Sequence, residues 1–201
     1  MSMPRIQIVA GLCLIVSVVA FRLLPLYGEE SLVRAMANVS PLAALALCGG
    51  MLLPRKMAAI TTFAAFIISD VVLNWHYGFP LLNPFSIVLL ASFAIIFLCG
   101  WALRGKATIW IALGGAAGSA ALFYLTSNTA AFLFDPWYPM SFQGWMQALT
   151  LGRPDFQPAT WVFGLRMLAG NLLFAAAFYL AMRPVGSRPM GVATEAVAAP
   201  L

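Results

Sequence analysis

Ile67-Ile-Ser-Asp-Val-Val-Leu-Asn-Trp-His-Tyr77 holds Asp70, the single carboxylate inside any hydrophobic run of this chain. Asn74 follows one helical turn later on the same face, and His76, the only histidine, lies just beyond. Apart from Asp70, the run from Met57 to Trp75 carries no charged side chain. It has about the 20 residues that a helix needs to cross a bilayer. A carboxylate in hydrocarbon is costly unless it has a partner or faces a wet cavity. What surrounds Asp70 therefore decides how the chain is organised.

Working outward, the whole sequence has the same character. It has 201 residues, 63% of them hydrophobic and 8% charged, with a mean hydropathy of +0.94. Soluble domains are about a quarter charged, so the composition is that of an all-α integral membrane protein. The net charge of +5 does not point to nucleic acid, because the basic residues are scattered through short loops and form no patch. Cys13, Cys48 and Cys99 fall in apolar runs without metal-ligand spacing and read as small hydrophobes. No cofactor is implied.

Six spans are expected, at about residues 6–26, 39–53, 57–75, 85–103, 108–134 and 161–182, forming one compact bundle over residues 1–182. Span 1 also resembles a signal peptide with a cleavage site at Val18-x-Ala20, but its apolar run continues past Ala20, which favours a retained helix. Span 2 opens with Asn38-Val-Ser-Pro41; Pro41 suits a first helical turn, and Asn38 or Ser40 can cap it. The long loop before span 6 contains Phe142, Trp145, Met146 and Leu149 at i, i+3, i+4 and i+7, which predicts an interfacial helix. The tail, residues 183–201, is rich in Pro, Gly, Ala and Ser and is expected to be disordered and cytoplasmic.

The N-terminus, the 2–3 and 4–5 turns and the tail carry Arg5, Arg55, Lys56, Arg104, Lys106, Arg183 and Arg188, whereas the opposite loops carry only Arg34 and Arg153. The positive-inside rule then puts both termini in the cytoplasm of a bacterial inner membrane. Trp75, Trp101, Trp110 and Trp161 fall at span ends, as an aromatic belt requires.

That topology gives each intramembrane polar group a depth. Asp70 and Asn74 come to lie in the outer third of span 3, Asn38 at the outer start of span 2, Asn128 in the outer part of span 5, and Arg166 and Asn171 in the outer half of span 6. A polar cluster in the outer leaflet beneath a long loop suggests an outward-opening pocket for a small-molecule substrate. The candidate binding residues are Asp70, Asn74, Asn128, Arg166, Asn38 and Asn171. Asp70 is expected to pair with Arg166 or Arg22, as a ligand anchor or only as a brace for the bundle. Arg166 and Asn171 are five residues apart, roughly 140° around a helix, so both cannot face one ligand squarely. His76 is a poor metal ligand without a second histidine. A single acid and a single histidine make a weak basis for membrane catalysis, so no enzyme activity is expected. Gly114-x-x-x-Gly118 offers a close-packing face.

Four stretches carry a resemblance: Asn38-Val-Ser-Pro-Leu-Ala-Ala-Leu-Ala-Leu-Cys-Gly-Gly50, Ser69-Asp-Val-Val-Leu-Asn-Trp-His76, Ser127-Asn-Thr-Ala-Ala-Phe132 and Tyr138-Pro-Met-Ser-x-x-Gly-Trp145. Ala169-Gly-Asn-Leu-Leu-Phe174 matches more loosely, with Asn171 where an acid is usual. On these, the chain resembles an uncharacterised family of six-span bacterial membrane proteins that is itself similar to the substrate-binding S components of energy-coupling-factor transporters. The resemblance implies capture of a vitamin, a metal ion or another scarce nutrient from outside. A transmembrane coupling subunit and ATPases would power its release, since this chain has no phosphate-binding Gly-x-x-x-x-Gly-Lys-Ser/Thr loop of its own. Span 1 departs from such components in having no clean pair of small residues at four-residue spacing.

Overall fold

The computed structural model of the chain describes residues 5–27, 39–153 and 158–186. Among them are seven α-helices and no strand: α1 (Arg5–Leu23), α2 (Leu42–Leu52), α3 (Arg55–His76), α4 (Pro84–Ala102), α5 (Ile109–Phe134), α6 (Phe142–Leu149) and α7 (Thr160–Gly186). Asn38, the acidic linker around Glu29 and Glu30, and the tail beyond Gly186 lie outside the described residues.

The helix boundaries follow local chemistry. Pro84 starts α4 at a position where its missing N–H is no loss, and the side chain of Asn83 accepts from Ser86 N at 2.8 Å. Thr108 caps α5 in the same way through Ile111 N, and Ser141 caps α6 through Gly144 N. Among the described residues, four helices are long and apolar enough to cross a membrane: α3, α4, α5 and residues Thr160–Met182 of α7. Two shorter apolar stretches, Leu12–Leu23 in α1 and Leu42–Leu52 in α2, accompany them.

Of these, α2 departs most from the expected six equal spans. Only 11 of the residues expected at 39–53 are helical, about 16 Å of helix against about 30 Å of hydrocarbon. Pro41 takes the N-cap position and not the first turn. Leu53 is extended, with φ −90° and ψ 155°, as expected for a residue before proline. Two prolines thus bracket the helix and shorten it.

What α2 lacks in length it makes up in burial. Every residue from Leu42 to Met51 is buried, as suits a helix that is apolar all round. It packs against α4, α7, α3 and α5 and forms the axis of the bundle. Glycine allows the closest of these approaches. A Cβ added to Gly100 of α4 would sit 2.2 Å from the Leu47 carbonyl oxygen, and one added to Gly50 would sit 2.6 Å from that of Phe97. At the C-terminal end of α2, the Arg104 guanidinium donates to the carbonyls of Gly50, at 3.1 Å, and Leu53. A cation there satisfies orphan carbonyls and complements the helix dipole.

The outer faces of the helices are apolar. Trp75, Trp110 and Trp161 point outward at helix ends and are at least half exposed. Trp101 lies under the Arg55 guanidinium, 4.5 Å from the ring centre.

Candidate functional site

A cavity of about 950 Å³ occupies one end of the bundle. It lies where α1, α3 and α5 finish and where α2, α4 and α7 begin. Ser40 and Ala43, at the N-terminal end of α2, line it. The room exists because the axial helix is short: a full-length α2 would continue into this end of the bundle.

Asp70 and Asn74 form one wall, from successive turns of α3. Their shared face, expected from the i, i+4 spacing, is realised as a hydrogen bond of 3.0 Å from Asn74 Nδ2 to Asp70 Oδ2. The same amide reaches Ser86 Oγ on α4 at 3.2 Å. The cation facing Asp70 is Arg22 of α1, with a guanidinium nitrogen 3.7 Å from Oδ1. Arg22 also donates to Ser69 Oγ at 2.8 Å, and that hydroxyl donates in turn to the Ala65 carbonyl at 2.6 Å. The guanidinium plane lies 5.5 Å from the centre of the Phe66 ring. Of the two expected partners of Asp70, the structure selects Arg22. Arg166 does not line the cavity; it is half-buried on α7, 6.0 Å from the Phe163 ring.

The 140° separation on α7 is resolved in favour of Asn171, which lines the cavity and is only 1% exposed. Its Oδ1 has no hydrogen-bond partner among the described residues. Buried polar groups are seldom left in that state. Asn128 also lines the cavity but donates back to its own helix, to the Tyr124 carbonyl at 2.8 Å. His76 is exposed, stacks edge-on against Tyr77 at 5.0 Å and does not line the cavity.

Several lining groups were not singled out from the sequence. Ser86 could have been found, because it lies one turn into a helix whose N-cap is legible as Asn83-Pro84. The pair Asp135–Arg153, with a nitrogen–oxygen distance of 3.3 Å, joins residues 18 apart on either side of α6 and left no local signal. Arg153 also lies over Trp137 at 5.4 Å. Beside this pair, Tyr138 is held neutral above its ordinary range, by burial first and by the Asp135 carboxylate second, against a smaller opposing effect of Arg153. The apolar wall includes Phe93 and Phe123, whose rings lie 5.0 Å apart and tilted by 33°. Chemically the site is a large concave space with apolar walls and a few fixed donors and acceptors, the usual make-up of a small-molecule pocket.

A family model covers nearly the whole chain, matching residues 2–191. The chain belongs to a family of unknown function, DUF6580. No curated protein and no solved structure matches it. The matched span takes in all seven helices, so the cavity is built entirely from the family's own residues.

Proposed function

We propose that this protein is a membrane-embedded binding subunit that captures a small nutrient from the outer side of a bacterial inner membrane for uptake. One observation carries the proposal: the cavity of about 950 Å³ at a single end of the bundle, above a half-length axial helix. Among the described residues the buried charged and amide side chains, Asp70, Asn74 and Asn171, lie at that end, with only hydroxyls such as Thr61, Thr62 and Ser119 buried elsewhere; a proton or ion path would need ionisable groups at every depth. In this reading α1 and α2 complete a six-helix membrane bundle with the four long helices. Both termini are cytoplasmic, in keeping with the basic 2–3 and 4–5 turns. α6 lies in the outer interface, an orientation supported by Phe142 and Met146, which are exposed while Gly144 and Ala148 face inward. Release of the nutrient inward requires partners, a coupling subunit and ATPases.

The test is purification in mild detergent followed by mass spectrometry of small molecules released on denaturation. A retained nutrient-sized molecule, absent from a variant with the cavity blocked by Ala43→Phe, is the expected result. An empty protein that also fails to bind any compound of a nutrient library sinks the proposal.

A second reading, a non-catalytic scaffold, is favoured by the Arg22–Asp70 pair itself, which braces α1 against α3. Exchanging the two residues in one double variant separates the readings. Full recovery of function after the exchange supports a brace. Recovery of folding without function supports a ligand-facing Asp70.

A further inference from the structure

We infer that the cavity takes a molecule of no net charge, uncharged or zwitterionic, with a ring system held against the aromatic wall and a hydrogen-bonding edge read by Asn171. This deepens the capture proposal and rests on it.

The charge argument comes from the lining itself. Among the described residues, four charged side chains face the cavity, Arg22, Asp70, Asp135 and Arg153, and they include two opposite-charge pairs at 3.7 Å and 3.3 Å. The formal charge of this described wall is zero. An ion brought into this space would need a counter-charge, and recruiting one means breaking a pair and leaving its other member uncompensated in an apolar setting. A neutral or internally balanced molecule makes no such demand.

The shape argument comes from the apolar part of the wall. Phe123 is half-buried on the cavity wall and is backed by the buried Phe93 ring 5.0 Å away, and its ring suits another flat ring through offset or edge-on contact. The recognition argument comes from Asn171. Its side chain is buried, lines the cavity and has a carbonyl oxygen without a partner among the described residues. An amide offers both a donor and an acceptor, so it reads an edge that carries both, such as a lactam, a carboxamide or a ring N–H beside a carbonyl. The neighbouring Gly170 is closed off, since a Cβ there would sit 2.9 Å from Val39 Cγ1. The α7 backbone beside Asn171 is thus packed against Val39, just ahead of α2.

The experiment uses the full-length protein in nanodiscs. Molecules carried through purification are identified by mass spectrometry, and nicotinamide, nicotinate and 1-methylnicotinamide, alike in ring but neutral, anionic and cationic, are compared by thermal shift. The expected result is a retained ring-bearing molecule neutral at pH 7, with nicotinamide stabilising more than either charged analogue. Asn171→Leu, with the same number and branching of side-chain heavy atoms but no donor or acceptor, should reduce retention at least tenfold while the empty protein still folds and melts cooperatively. A retained molecule that is a net anion or cation, or that has no ring, overturns the inference and leaves capture standing. Equal retention by Asn171→Leu also overturns it. A protein that retains nothing, responds to none of the three probes and binds no compound of a nutrient library overturns capture as well.

Discussion

At the residue scale, the buried ion pair is the point of greatest leverage. Asp70 and Arg22 have side chains only 11% and 14% exposed, and each has one further polar contact, to Asn74 and to Ser69. Removing one partner of such a pair leaves the other charge uncompensated, at a cost of about 3–5 kcal/mol. Arg22→Leu is therefore expected to lower the folded fraction markedly in detergent, read by thermal unfolding. Adding Asp70→Asn to that variant should cost little more, because the pair is already broken. Fully additive losses from the two substitutions would contradict the assignment of Arg22 as partner. Tyr138 gives a pH prediction. Its folded-state pKa is raised above the ordinary value of 10.0. The stabilisation is thus complete below pH 10 and is lost as pH rises through the folded value, because the unfolded chain ionises first. Alkaline melting curves of wild type and Tyr138→Phe should run parallel below about pH 10. Above it the wild type should fall more steeply.

At the scale of elements, the two glycine contacts of α2 and the open glycines of α5 make a matched experiment. Gly100→Ala places a methyl 2.2 Å from a backbone oxygen that cannot move aside without shifting the helix. The expected cost is at least about 1–3 kcal/mol, the usual range for overpacking. Gly118→Ala meets nothing within 4 Å and should be neutral or stabilising by up to about 1 kcal/mol from helix propensity. Arg104→Ala should cost about 2 kcal/mol through its lost bonds to the Gly50 and Leu53 carbonyls. Folded yield or unfolding midpoint reads all three. These elements also show what sequence reasoning can reach. Apolar runs and capping residues placed α3, α4 and α5 within one or two residues and the start of α7 within one, although α7 continues to Gly186, four residues past the expected end; the i, i+3, i+4, i+7 pattern placed α6. The length of α2 was out of reach, because Val39, Ser40 and Leu53 are compatible with a helix and only Pro41 and Pro54 argue against it. In the site, Asp70 with Asn74 was legible from spacing within one helix. The choice of Arg22 over Arg166 was not, since it depends on α1 packing beside α3.

At the scale of the whole molecule, one structural asymmetry orders the rest. The axial helix leaves one end of the bundle open, and polar lining groups, ring-bearing walls and the loop carrying Asp135 and Tyr138 all gather there. The other end is closed by the Gly50–Gly100 contact and by Arg104 over the last carbonyls of α2. A capture subunit needs this asymmetry to be oriented, with the open end outward, and that requirement can be tested without knowing the ligand. Cys13 and Cys99 are exposed and are replaced first by serine. Cys48 can stay, being buried in α2 with its sulfur directed at the Ala175 carbonyl, 3.6 Å away. In that background Ser127→Cys reports from the cavity and Lys106→Cys from the turn between α4 and α5. Intact spheroplasts treated with a membrane-impermeant maleimide should label Ser127→Cys readily. Lys106→Cys should label only after permeabilisation. The reverse pattern would put the cavity on the cytoplasmic face, where capture from outside is impossible, and the protein would then have to work as an exporter's acceptor or a scaffold. With the retained molecule added back, labelling of Ser127→Cys should fall while labelling of Lys106→Cys in opened membranes stays constant. That contrast ties the open end of the bundle to the ligand and not merely to solvent.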